Sequence, residues 1–125
     1  MSETKLCVTC GREMRPRKRW KDRWDEVRHC SAACRREARG RGRRQGEALE
    51  AAVLELLGER AAQATACPSE VARRLDPEGW RDLMEPVRRA ARRLVAAGRV
   101  EVLQKGRVVD AATARGPIRL RLARP

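Results

Sequence analysis

The chain of 125 residues carries 30 Lys and Arg against 17 Asp and Glu, a formal charge of +13, and has room for one ordinary domain or two very small ones. No apolar run approaches the ~18 residues of a membrane span, and the start "MSETKLC" lacks the basic-then-apolar pattern of a secretion signal, so a cytoplasmic protein without a membrane partner is expected. So strong a positive charge suits DNA or RNA as partner, although an arginine-over-lysine bias with abundant alanine also follows from GC-rich coding, whatever the function.

Cys7-x-x-Cys10 is followed after nineteen residues by Cys30-x-x-x-Cys34. In a chain with no export signal, such spacing points to a metal before it points to a disulfide pair, which is the alternative. Zinc prefers four tetrahedral ligands, and a CxxC turn brings two sulfurs together. Cys30 and Cys34 are four apart and on a helix would share one face. A structural zinc ion on Cys7, Cys10, Cys30 and Cys34 is therefore expected. It would substitute for the core that about thirty residues cannot build alone. His29, the lone histidine, is a candidate for a supporting or surface role rather than a ligand.

Trp20, Trp24 and Val27 recur at helical spacing. They are expected to pack over the knuckle as a small core; the competing reading is a tryptophan exposed for stacking on a base. The thiolate charge calls for nearby cations, and Arg12, Lys18, Arg28 and Arg35 are candidates. The excess is larger than that need. Arg15, Arg17, Lys18 and Arg19, in "RPRKRWKDR", are the first candidate phosphate contacts.

The stretch "CVTCGREMRPRKRWKDRWDEVRHCSAACRR", Cys7 to Arg36, resembles a short bacterial family, domain of unknown function 2256. The shared features are CxxCGR, a basic run ending in Trp, WDEV, and CSxxCR. All four cysteines match, so the resemblance implies the same ligands. Met14 and His29 stand where the family usually has aromatics, which touches core details and not the metal.

"RREARGRGRRQG", Arg35 to Gly46, has no apolar residue but Ala38. It reads as a solvated basic linker whose first turn can be helical, flexible over 37–46, dividing a domain at 5–36 from one at 47–123. Beyond it, Leu49, Val53, Leu56 and Leu57 mark an amphipathic helix. A short helix follows at "CPSEVARRL", with Cys67 at the N-cap, Pro68 at N1, Glu70 at N3, and Val71 and Leu75 facing inward. Asp76 and Pro77 open the next helical region, Leu83, Val87, Ala91 and Leu94 give it an inner stripe, and Gly98 caps it. "RVEVLQ" and "IRLRL" then alternate as strands, with a turn at "KGR" and room for a short strand at Arg107–Val109. Three helices followed by a β-hairpin is the winged-helix order. The expected fold is thus α+β, a small four-cysteine zinc-knuckle domain followed by a winged-helix domain.

"CPSEVAR", "WRDLM.PVR", "QKGR.VD" and "ARGPIRLRL" resemble a second bacterial family, domain of unknown function 3253, over about Ala48 to Leu122. That resemblance implies a winged-helix-like fold and no substrate. In such a fold Arg88, Arg89, Arg92 and Arg93 on the third helix would face a groove, and Lys105 and Arg107 on the wing would reach the backbone. A merely solvated helix face is the plain alternative. Cys67 reads as a buried structural cysteine or, less simply, a redox-sensitive thiol.

No Walker loop, HExxH or nucleophile elbow is present, and zinc held by four sulfurs has no open position for water. The expectation is a non-enzyme without a small-molecule substrate: a zinc protein binding nucleic acid, DNA ahead of RNA. The alternative is a protein-interaction adaptor that uses the knuckle and winged helix to dock a protein partner.

Overall fold

The computed structural model describes residues 4–123. Two short strands, β1 (Lys5–Leu6) and β2 (Glu13–Met14), pair antiparallel with Lys5 opposite Met14. The loop between them carries Cys7 and Cys10. It closes through the Gly11 amide donating to Cys7 O at 2.9 Å and the Cys7 amide donating to Arg12 O at 2.8 Å. Trp20 and Trp24 lie not on an α-helix but on two 3₁₀ turns, Lys18–Trp20 and Trp24–Glu26. Their rings still stack, with centroids 5.8 Å apart. Trp20 is buried, and Trp24 and Val27 pack on the cysteines with Met14. The tryptophans are therefore core, as expected, and Trp20 is not open to a base.

Helix α1 (Ala32–Glu37) starts from Ser31, whose hydroxyl accepts the Cys34 amide hydrogen bond at 3.2 Å. Cys30 precedes this cap, so the Cys30–Cys34 pair straddles a helix start rather than sharing a helix face.

The stretch expected to be a flexible linker is helical from Gly40. Helix α2 (Gly40–Gly58) runs through it and on to the end of the apolar stripe. Gly42 is needed where α2 leaves α1, since a Cβ there would fall 2.7 Å from the Glu37 carbonyl oxygen. Within 40–46 only Gly42 and Gly46 are partly covered, lying against Glu37 and Arg93, while Arg41, Arg43, Arg44 and Gln45 stay exposed.

Helix α3 (Pro68–Leu75) opens with Glu70 accepting the Cys67 amide hydrogen bond at 2.7 Å, one half of a capping box. Pro68, Val71 and Ala72 are its buried residues, whereas Leu75, expected inside, is 44% exposed at the last turn. A 3₁₀ turn at Trp80–Leu83 leads into α4 (Met84–Ala96), which buries Val87, Ala90, Ala91 and Leu94. Strands β3 (Val100–Gln104) and β4 (Arg107–Val109) form a two-residue hairpin through Lys105 and Gly106, with φ of 51° and 79°. Positive φ at both turn positions matches the right-handed strand twist.

β5 (Arg119–Leu122) pairs antiparallel with the other edge of β3, giving the order β4-β3-β5. Sequence periodicity did not reveal a further contact: Ala66 bridges to Leu120, its amide donating at 2.9 Å and its carbonyl accepting at 2.7 Å. One residue cannot show alternation, so this edge had no sequence signature. The main core lies between α2, α3, α4 and the inner face of this sheet, around Val53, Val71, Val87, Val102 and Leu120. Each such side chain stabilises the fold by about 1.5–3 kcal/mol on leaving water. The cysteine cluster forms a separate, smaller core.

Candidate metal centre

Cys7, Cys10, Cys30 and Cys34 converge, with all four Sγ atoms within 4.8 Å of one another. Cys10 and Cys30 stand 3.7 Å apart, and Cys30 and Cys34 3.6 Å. Four sulfurs around one ion at about 2.3 Å would be separated by about 3.8 Å, so the quartet fits a tetrahedral metal site. All five cysteines of the chain are free thiols, and none is paired in a disulfide. Three of the four sulfurs belong to buried residues, and Cys30 is half-buried.

Ionisation within the quartet is in conflict without a shared cation. A hydrogen bond from Cys10 draws the Cys7 thiol down to about 3, and the same bond pushes Cys10 up. Burial pushes the Cys34 thiol up to about 11. A dication at the centre would favour all four thiolates at once. The surrounding backbone is already arranged for sulfur acceptors. The Cys30 amide donates to Cys7 Sγ at 3.4 Å, the Cys10 and Thr9 amides also favour the Cys7 thiolate, and the Arg12 amide favours that of Cys10. The Thr9 hydroxyl braces the loop by donating to the Cys34 carbonyl at 3.0 Å.

Compensating positive charge arrives from the far end of the chain. Arg89 of α4 donates to Cys34 Sγ at 3.8 Å and pairs with Glu37. Burial works against its charge, but Glu37, Cys34 and Cys10 outweigh it and hold the guanidinium above its ordinary value. Arg92, with 4% of its side chain exposed, donates to Cys10 O and pairs with Glu85 at 2.8 Å. Arg93 donates to Thr9 O and pairs with Glu50 at 3.1 Å. On the other side, Arg12 donates to Ala114 O at 2.9 Å, and the Glu13 amide reaches Ala112 O at 3.3 Å. The knuckle is thus docked on α4 and on the loop between β4 and β5.

Gly11 sits where this contact is tightest. Its φ is +73°, and an added Cβ would lie 2.3 Å from Arg92 Cβ. Sequence spacing explains a glycine after a CxxC turn. It does not reveal a partner eighty residues away.

This geometry corrects one expectation. Arg89, Arg92 and Arg93 do not form an open face for a nucleic acid; they line the seam between the two parts of the chain. Arg88 is half-buried and reaches toward Gly116 O at 3.5 Å. Arg15, Arg17, Lys18 and Arg19 are exposed beside the knuckle, where Arg17 and Arg19 lie over the Trp20 ring. Lys105 and Arg107 are exposed at the hairpin, far along the chain from that cluster. Of the expected charge partners of the thiolates, Arg12, Lys18, Arg28 and Arg35, none brings its side-chain charge onto a sulfur among the described residues, Arg12 reaching Cys10 through its backbone amide alone; the Arg89 guanidinium takes that role. Cys67 stands apart at the start of α3, half-buried, with the Ser69 hydroxyl donating to its sulfur at 3.1 Å.

Fold and site together define a basic α+β protein with a four-cysteine cluster that could hold a metal ion, seated on its larger part. Residues 46–123 match the family described as protein of unknown function (DUF3253), and the chain belongs to that family. Residues 2–37 match a second description, uncharacterized protein conserved in bacteria (DUF2256). No curated protein matches the chain. Among the described residues no helix is long and apolar enough to cross a membrane.

Proposed function

We propose that this is a structural-zinc protein that binds nucleic acid, DNA ahead of RNA, by contacts to backbone phosphates. An all-thiolate donor set in tetrahedral spacing suits zinc, which when bound would supply folding energy and no open coordination position. The helix order, the sheet order β4-β3-β5 and the Ala66 edge support a winged-helix reading of residues 47–123. The helix that would enter a groove in such a fold is α4, and its arginine side is covered.

The observation that carries the proposal is where the unpaired charge lies. Arg17, Lys18, Arg19, Lys21, Arg23, Arg28, Arg35 and Arg36 are exposed on the cysteine-bearing part and Arg39, Arg41 and Arg44 at the start of α2, outnumbering the exposed acids Asp22, Asp25, Glu26 and Glu37 among them. None of these cations has an acidic partner among the described residues. Uncompensated cations concentrated on one part of a protein favour a polyanion. The contacts belong to the knuckle side and the start of α2, with Lys105 and Arg107 as outlying contributors.

Titration of a labelled 20-base-pair duplex and of an RNA of equal length tests this. Binding at 50 mM salt is expected, falling about 10²–10³-fold by 200 mM for about five phosphate contacts. Absence of binding to either at 50 mM salt ends the proposal. A second reading, a protein-docking adaptor, has one observation in its favour: the α4 face already holds a protein module. Partner capture that survives nuclease treatment, combined with no nucleic-acid binding, would select it.

A further inference from the structure

Two adjoining cavities open on the knuckle side, of about 320 Å³ and about 200 Å³, and both are lined by Trp20, Arg23, His29 and Arg35. Arg28 and Arg39 line the larger one, with Glu26 as its one acidic residue; no acidic residue lines the smaller. Arg23, Arg28, Arg35 and Arg39 are exposed, and among the described residues none forms an ion pair. Nε2 of His29 is buried without a hydrogen-bond partner. Four unpaired guanidiniums around one concavity repel one another, and an unmet ring nitrogen adds a cost of its own. A bound anion would relieve the repulsion.

The kind of anion follows from what the groove lacks. Trp20 is buried, stacked on Trp24 and overlain by Arg17 and Arg19, so no aromatic face is offered to a base. Arginine forks match phosphate oxygens in pairs. The cations also continue beyond the groove as Arg41 and Arg44 on α2, suited to a polymer with repeated charge, while Arg43 beside them is paired with Glu47. Resting on the nucleic-acid reading above, we propose that this groove seats consecutive backbone phosphates of a nucleic-acid strand. Arg35 and Arg39 grip them beside His29, which lines the groove, without reading base identity.

The test uses the full chain with its metal and a labelled 20-nucleotide DNA. Arg35→Ala with Arg39→Ala is expected to weaken binding at least about tenfold and to lower the salt slope by about 2. His29 is the only histidine, so its ring signals in NMR are unambiguous and are expected to move when DNA is added. Metal content of the variant checks that the knuckle stays folded; if it falls, Arg23→Gln with Arg28→Gln is measured instead. Wild-type DNA binding with an unaffected variant, or with unmoved His29 signals, overturns the groove and leaves the nucleic-acid reading standing. No binding of any nucleic acid by the wild type overturns both. Tighter binding of a polyglutamate peptide than of DNA, lost in the same variant, assigns the groove to an acidic protein partner and overturns the proposal.

Discussion

Stripping the metal, or replacing Cys34 with Ala, is expected to unfold residues 5–36 while residues 47–123 stay folded. The reason lies in the two separate cores. The smaller consists of the four cysteines, Met14, Trp24 and Val27, and most of its members are the ligands themselves. The larger has sixteen buried residues between Leu49 and Leu120, none of them from the knuckle. Structural zinc binding amounts to about 10–16 kcal/mol in small metal-folded peptides, far more than Trp24, Val27 and Met14 could replace. Amide hydrogen exchange should therefore lose protection at Thr9, Gly11 and Cys34 and keep it along α4 and β3. Retained protection at the knuckle after complete removal of metal, or purified reduced protein with no stoichiometric metal, would refute the metal-folded reading.

Gly11→Ala is expected to destabilise the docked knuckle by about 2–5 kcal/mol, combining about 1–2 for a left-handed backbone with about 1–3 for overpacking. The clash is with Arg92 Cβ and with its backbone carbon at 3.0 Å, so no flexible side-chain end can move aside. Gly98→Ala supplies the control. Its φ of +76° is nearly the same, but nothing lies within 4 Å of the added carbon. That variant should cost only the backbone part, about 1–2 kcal/mol. Urea unfolding of the two variants, with metal content measured alongside, separates the contributions. Equal losses would mean that the seam between knuckle and α4 yields easily and contributes little.

The metal site was the most legible feature of the sequence, because ligand spacing is local: a CxxC turn and a second pair beside a helix start are enough. The core stripes of α2 and α4 were legible for the same reason, since Leu49, Val53, Leu56 and Leu57, or Val87, Ala91 and Leu94, repeat at the helical period. What stayed hidden depends on contacts distant in sequence. The start of α2 reads as a loose basic tether until Gly42 is seen against Glu37. Ala66 reads as loop until Leu120 lies beside it. Arg89, Arg92 and Arg93 repeat at helical spacing in the way that both a recognition helix and a docking helix would. Only the carbonyls of Thr9 and Cys10, more than eighty positions earlier, decide between them.

Seating the knuckle on α4 has a practical corollary for anyone who cuts the chain in two. A truncated 46–123 fragment would bare Arg89, Arg92 and Arg93 and behave as a stickier polycation than the intact molecule. Affinity for DNA measured on that fragment would report cryptic cations that the whole protein keeps engaged.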